Sequence, residues 1–149
     1  MRSSGFIHSK PSFLVRSLGS FAVFVHFHKF SFGPHFRVHF GVRVMNDPFE
    51  AIALNGPSFE HAGTYGADED ETLACTRTLI ALIEGEGQSW FSKFPDAESL
   101  CRAPGSPLQD RDRQALADDF GEKRNAARWR VSEQLLGLKR EGESAARED

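Results

Sequence analysis

The first 44 residues contain no aspartate, no glutamate and no threonine. Their six Lys/Arg are therefore uncompensated, and the segment is +6. The 105 residues that follow almost lack valine: Val131 stands alone, beside three Ile and four Thr. With so few β-branched residues, a sheet has little to be built from there. Cysteine is also scarce. Cys75 and Cys101 are too few for a disulfide framework and have no metal-type spacing, so they read as buried thiols in a reducing compartment. No apolar run reaches the about 20 residues that a membrane-spanning helix needs.

The usual catalytic signatures are missing too. Gly87-Gln88-Ser89-Trp90-Phe91 ends in Phe where a nucleophile elbow needs Gly. Gly85-Glu86-Gly87 does not continue into a dinucleotide fingerprint, and no phosphate-loop G-K-S/T occurs. His61 is the sole histidine after residue 44, so a hydrolase would have to be built on it. Glu60, His61, Asp68 and Asp70 could gather a metal, but they read as a surface histidine and helix-capping acids. The expectation is no catalytic residue, no cofactor and no metal.

What residues 1–44 do hold is nine of the fourteen Phe, five of the six His and six Val. From Lys29 to Val44 apolar and polar residues alternate with the period of a strand, broken at Gly33-Pro34. Three readings compete. The lack of acids and the Arg and Ser content suit a targeting segment, with Leu18 to Phe27 as a short apolar region. The alternation suits a hairpin, although an isolated hairpin is marginal in water. The break in composition at Met45 suits an extension ahead of the native start, and this is the reading preferred. His26 and His28 share one strand face, as do His35 and His39. No Cys, Asp or Glu is present in the segment to complete a metal shell.

The remainder reads as capped helices. Asp47-Pro48-Phe49-Glu50 predicts a capping box and a helix to Leu54. Asp68 and Glu71 predict the start of a helix over about 69–84, with Leu73, Thr76, Leu79, Ile80 and Ile83 on one stripe and Cys75 and Leu82 beside it. That helix is expected at the centre of the core. Trp90, Phe91 and Phe94 follow in a loop. Pro95-Asp96 opens a brief helix toward Arg102, and Ser106-Pro107-Leu108-Gln109 opens one to Phe120. A last helix spans about 123–139. The expected fold is all-α, with about four to five helices in residues 45–140. It follows a poorly ordered or hairpin-like extension, 1–44, and precedes a disordered tail, 141–149.

One stretch carries a functional pattern. Arg113 to Trp129 places Ala117 where two helices would cross, Gly121 at a turn, and polar side chains on the second helix. It resembles a helix-turn-helix, most closely the reading head of GntR-type winged-helix regulators. The resemblance implies DNA binding, with Lys123, Arg124, Asn125 and Arg128 at phosphate and base contacts. Glu122, Ala127 and Arg130 depart from the apolar residues usual in that pattern, and no wing strands follow. Residues 123–140 are locally +5, whereas residues 45–100 are -9.

The expected function is thus a small non-enzymatic regulatory or accessory protein, cytoplasmic, that binds duplex DNA through residues 107–140. The second reading is a protein-interaction adaptor. A basic partner would dock on the acidic half 45–100 and on Trp90, Phe91 and Phe94. The third is a minor hydrolase using His61. A genuine targeting role for residues 1–44 would instead imply an organelle or export.

Overall fold

The strand alternation near the N-terminus finds its partners within the same segment. The structure is a computed structural model, and it describes residues 5–30, 35–61 and 68–138. Four strands precede Met45: β1 (Ile7–Lys10), β2 (Phe13–Ser17), β3 (Phe21–Lys29) and β4 (Phe36–Val44). A fifth, β5 (Ser58–His61), closes an antiparallel sheet in the order β1-β2-β3-β4-β5. β3 and β4 pair along their full length, from Phe21↔Val44 to Lys29↔Phe36. The Gly33-Pro34 turn lies outside the described residues, as do residues 139–149 and the disorder expected of 141–149.

After the sheet come α1 (Glu69–Leu82), a π-helical turn (Ile83–Gly87), α2 (Gln88–Phe91), α3 (Ala97–Arg102), α4 (Asp110–Phe120) and α5 (Ala126–Leu136). Sheet and helices form one α+β fold, so the all-α expectation is overturned. β2, β3 and β4 lie at the centre of the core instead of outside it. Phe21, Val23, Val25, Val38, Phe40, Val42 and Val44 share the larger buried cluster with Cys75, Ile83, Phe91, Phe94, Leu100, Leu108, Ala115 and Leu116. The other sheet face carries Phe13, Val15, Ala22 and Phe24, covered by Met45, Leu136, Ile52 and Trp129. A strand buried on both faces loses clean alternation and becomes continuously apolar. That is why Phe21-Ala22-Val23-Phe24-Val25 resembled the apolar region of a targeting segment. The break in composition at Met45 is the boundary between a Phe/Val sheet and its helical cover.

Glycine is required where the two long strands cross most tightly. Gly41 faces Phe24 across β3–β4, and a Cβ added there would lie 2.2 Å from the Phe24 ring.

Residues 47–54 were expected to be helical and are not. The Arg43 guanidinium, 2 % exposed, is the reason. It donates to the carbonyl oxygens of Asp47 (3.2 Å), Phe49 (2.6 Å) and Ala51 (3.0 Å), to Asp47 Oδ2 (3.2 Å) and to Ser132 Oγ (2.9 Å). Carbonyls drawn sideways onto one cation cannot accept along a helix axis. Asp47 Oδ1 still accepts from Phe49 N–H at 3.0 Å, so the cap forms without its helix. Asn55 then exchanges two hydrogen bonds with the Val42 backbone.

The other helices differ mainly at their ends. Asp68 caps α1 and Asp96 caps α3. The capping box of α4 is Gln109/Asp112 and not Ser106/Gln109. The last helix starts at Ala126, after the Asn125 cap, and ends at a left-handed Gly137. Trp90 and Phe91 lie in α2, not in a loop. The helix expected at the core's centre is peripheral: Cys75 is the one buried residue of α1, and Leu73 is 46 % exposed.

Two substitutions test this framework. Gly41→Val should destabilise by about 1–3 kcal/mol or more, because the buried Phe24 ring has nowhere to move; urea unfolding reads the loss. Arg43→Met should cost about 3–5 kcal/mol by leaving Asp47 buried without its main cation. Arg43→Lys should recover only part of that, since an ammonium cannot reproduce the guanidinium fork.

Candidate ligand cleft

Between the outer ends of β3 and β4 and the first turns of α1 the layers separate. The opening is a cleft of about 290 Å³, lined by Phe27, Lys29, Phe36, Thr72, Cys75, Thr76 and Leu79. Its geometry follows from two periodicities. Phe27 and Lys29 are two apart on β3 and share a face, and Phe36 is the cross-strand partner of Lys29. Thr72, Cys75, Thr76 and Leu79 are spaced 3, 4 and 7 along one stripe of α1. The stripe expected from the sequence shares Thr76 and Leu79 with it, has Cys75 beside it, and was expected in the core. It is a cleft wall because α1 leaves the sheet toward its N-terminus.

The lining is chemically quiet. Thr72 Oγ1 donates to Asp68 O (2.9 Å) and Thr76 Oγ1 to Thr72 O (2.8 Å), so both hydroxyls serve their own helix. Burial pushes the Cys75 thiol pKa up, which keeps it protonated and a poor nucleophile. Cys75 and Cys101 are both thiols, with no disulfide between them. Among the described lining residues Lys29 is the one basic side chain.

The opposite face of the same strand is polar. The pairing sets His26 against His39, with stacked rings 5.9 Å apart, and His28 stands 6.1 Å from His26 and 6.3 Å from His39. The sequence showed the His26–His28 face; the register adds His39, whereas His35 precedes β4. Burial, then the neighbouring His39, His28 and Lys10, pushes the His26 pKa down to about 4. Burial, Arg37 and His28 lower that of His39. His26 Nδ1 is buried with no hydrogen-bond partner. Among the described residues no three His, Cys, Asp or Glu side chains form a group that could hold a metal ion.

Of the residues expected to read DNA, Arg124 and Asn125 have partners within the fold. α4 buries Ala115 and Leu116 in the larger cluster, and α5 buries Leu136 in the smaller one, on the other sheet face. The two helices are therefore not the mutually packed pair of a helix-turn-helix, and that expectation is corrected. Ala117 and Phe120 are exposed. Glu122, not Gly121, takes the left-handed turn conformation, at φ 62°. Arg124 makes a forked pair with Asp119 (2.8 and 3.3 Å) and lies 3.9 Å over the Trp129 ring. Burial raises the Asp119 pKa, but hydrogen bonds from Arg124, Ser20 and Trp129 outweigh it and hold the group low. Asn125 Oδ1 caps α5, accepting from Ala127 and Arg128 N–H. Lys123 is exposed and Arg128 half-buried.

Of the expected partner-binding aromatics, Phe91 and Phe94 are 1 % and 0 % exposed, and Trp90 is half-buried against both. They form the floor of the core beneath Phe40 and Phe6. His61 continues β5 in the backbone, while its side chain lies outside the described residues. No helix among the described residues is long and apolar enough to cross a membrane. No family profile, curated protein or solved structure matches the chain.

The histidine face makes stability depend on pH in a stated direction. The unfolded chain protonates His26 near its ordinary 6.5, whereas the folded chain resists until about 4. Stability should therefore be full above about pH 6.5 and fall as pH drops toward 4. His26 is half-exposed, so solvent screening cuts the loss to about 1–2 kcal/mol. His26→Phe should flatten that part of a pH series of urea midpoints.

Proposed function

We propose that this chain is a small-molecule-binding protein and that its ligand occupies the cleft between α1 and the β3–β4 ends. The supporting observation is an open, almost wholly apolar cavity of about 290 Å³ between a helix and a sheet. That size is near the lower end of ligand sites, roughly 300–1,000 Å³. Binding without chemistry is favoured because the lining's thiol is held protonated and neither His nor a carboxylate is among the described lining residues. A loosely attached wall suits ligand entry. α1 buries Cys75 alone along fourteen residues, so its N-terminal turns can part from the sheet at small cost.

Toluene at millimolar concentration is a suitable neutral probe. It should slow alkylation of Cys75 by iodoacetamide in a Cys101→Ser background and shift the Leu79 methyl resonances saturably. Leu79→Asp should weaken binding at least about tenfold, by placing a carboxylate in the apolar wall. Unchanged Cys75 reactivity together with unshifted Leu79 methyls would remove the proposal.

A further inference from the structure

We propose that the face formed by His26, His28 and His39 is an oxyanion site, which takes one tetrahedral anion of the sulfate or phosphate kind, free or as a small monoester. It lies on the other face of β3 from the cleft and does not depend on it. The β3–β4 register brings the three imidazoles into a triangle, with ring centres 5.9, 6.1 and 6.3 Å apart. The His26 and His39 rings stack at 22°, so their nitrogens do not converge on one point, as a metal at about 2.0–2.1 Å requires. A tetrahedral oxyanion is less exacting. Each oxygen takes its own N–H donor at about 2.7–2.9 Å, so three separated rings can hold one ion. His26 Nδ1 is buried without a hydrogen-bond partner, and a half-turn of the ring about χ2 would present it to an incoming anion.

The charges around the rings select the sign of the ligand. Phe13 of β2 stands across from His26, and Lys10 of β1 lies over the Phe13 ring. On β4, Arg37 shares the face of His39. Across from these on β5 stand Glu60 and the uncharged Ser58. Glu60 is the one acid in the five strands. Both cations are already engaged: Lys10 Nζ donates to Leu135 O of α5, and Arg37 Nη2 donates to Glu60 Oε1 at 2.6 Å. They act through their field, and the imidazoles supply the donors. Besides burial, His39, His28 and Lys10 all disfavour a proton on His26, and Arg37 and His28 disfavour one on His39. An anion among the rings reverses that repulsion. A protonated imidazole also offers two donors where a neutral one offers one. Binding therefore takes up protons and tightens as pH falls.

The test follows the histidine ring proton resonances of the full chain by NMR while sulfate or methyl phosphate replaces chloride at constant ionic strength. Sulfate should move the signals of His26, His28 and His39 saturably, with an affinity at least about tenfold higher at about pH 5.5 than at about pH 7.5. His28→Gln and His39→Gln should each weaken binding at least about tenfold, because a neutral amide replaces a charge-assisted donor. His8→Gln, on β1, should leave it unchanged; circular dichroism checks that the three variants fold. Methyl phosphate binding as sulfate does would assign the group to an ester, and sulfate binding alone would assign a free ion; either upholds the site. Ring signals that respond to sulfate no more than to chloride, an affinity equal at the two pH values, or undiminished binding by both glutamine variants of the face would overturn it. Zinc moving all three signals where neither anion moves any would make the face a metal site instead.

Discussion

The buried guanidinium of Arg43 is the constraint around which the layers assemble. It leaves β4 on the face that α5 covers, and it reaches the 47–51 loop and Ser132 of α5 together. Ser132 passes the connection on by donating to Met45 O, and Asn46 bonds both Ala115 O of α4 and Asn125 N–H before α5. A cation in so dry a place must have its donors satisfied, and the chain between β4 and β5 is bent to satisfy them. One arginine thus fixes the loop and the seat of α5, and Asn46 beside it ties in the middle of α4. Arg111 adds a second cation to Asp47 at 3.2 Å, so the carboxylate is held from two sides.

With the layers fixed in this way, β3 serves two unlike surfaces. Its parity alternates His26 and His28 on one face with Phe27 and Lys29 on the other. Near Phe21–Val25 both faces are covered and both are apolar. Farther along, α5 no longer covers one face and α1 diverges from the other. The histidine cluster and the cleft are the two consequences of running a long ribbon past its cover.

Much of the helical half was legible. Asp68, Asp96 and Gly121 mark real helix ends, because caps depend on the few residues around them. The 47–54 helix failed because the buried guanidinium of Arg43, on the preceding strand, takes the carbonyls that the helix would have used. The helix-turn-helix pattern failed for a related reason. Two helices five residues apart can pack on each other or on opposite sides of a sheet, and spacing alone does not choose. Arg124 and Asn125 are polar residues on a surface, and only contacts reveal that one pairs with Asp119 and the other caps a helix. Lys29, Phe36, Cys75, Thr76 and Leu79 were visible on or beside an element face, but the gap between α1 and the sheet is a property of neither element.

The sequence alone determined most helices after residue 68, the Asp68 and Asp96 caps, and the period-two pattern of residues 29–44, because these depend on neighbours within a turn or a strand. Whether that ribbon belonged to the fold was decided by tertiary structure. A sheet is stable only through partners, and here β2, β3 and β5 supplied them, with β3 continuously apolar over Phe21–Val25 where both its faces are covered. The placement of α4 and α5 on opposite faces, the burial of Arg43 and the opening of the cleft likewise follow from how layers meet, which no local pattern encodes.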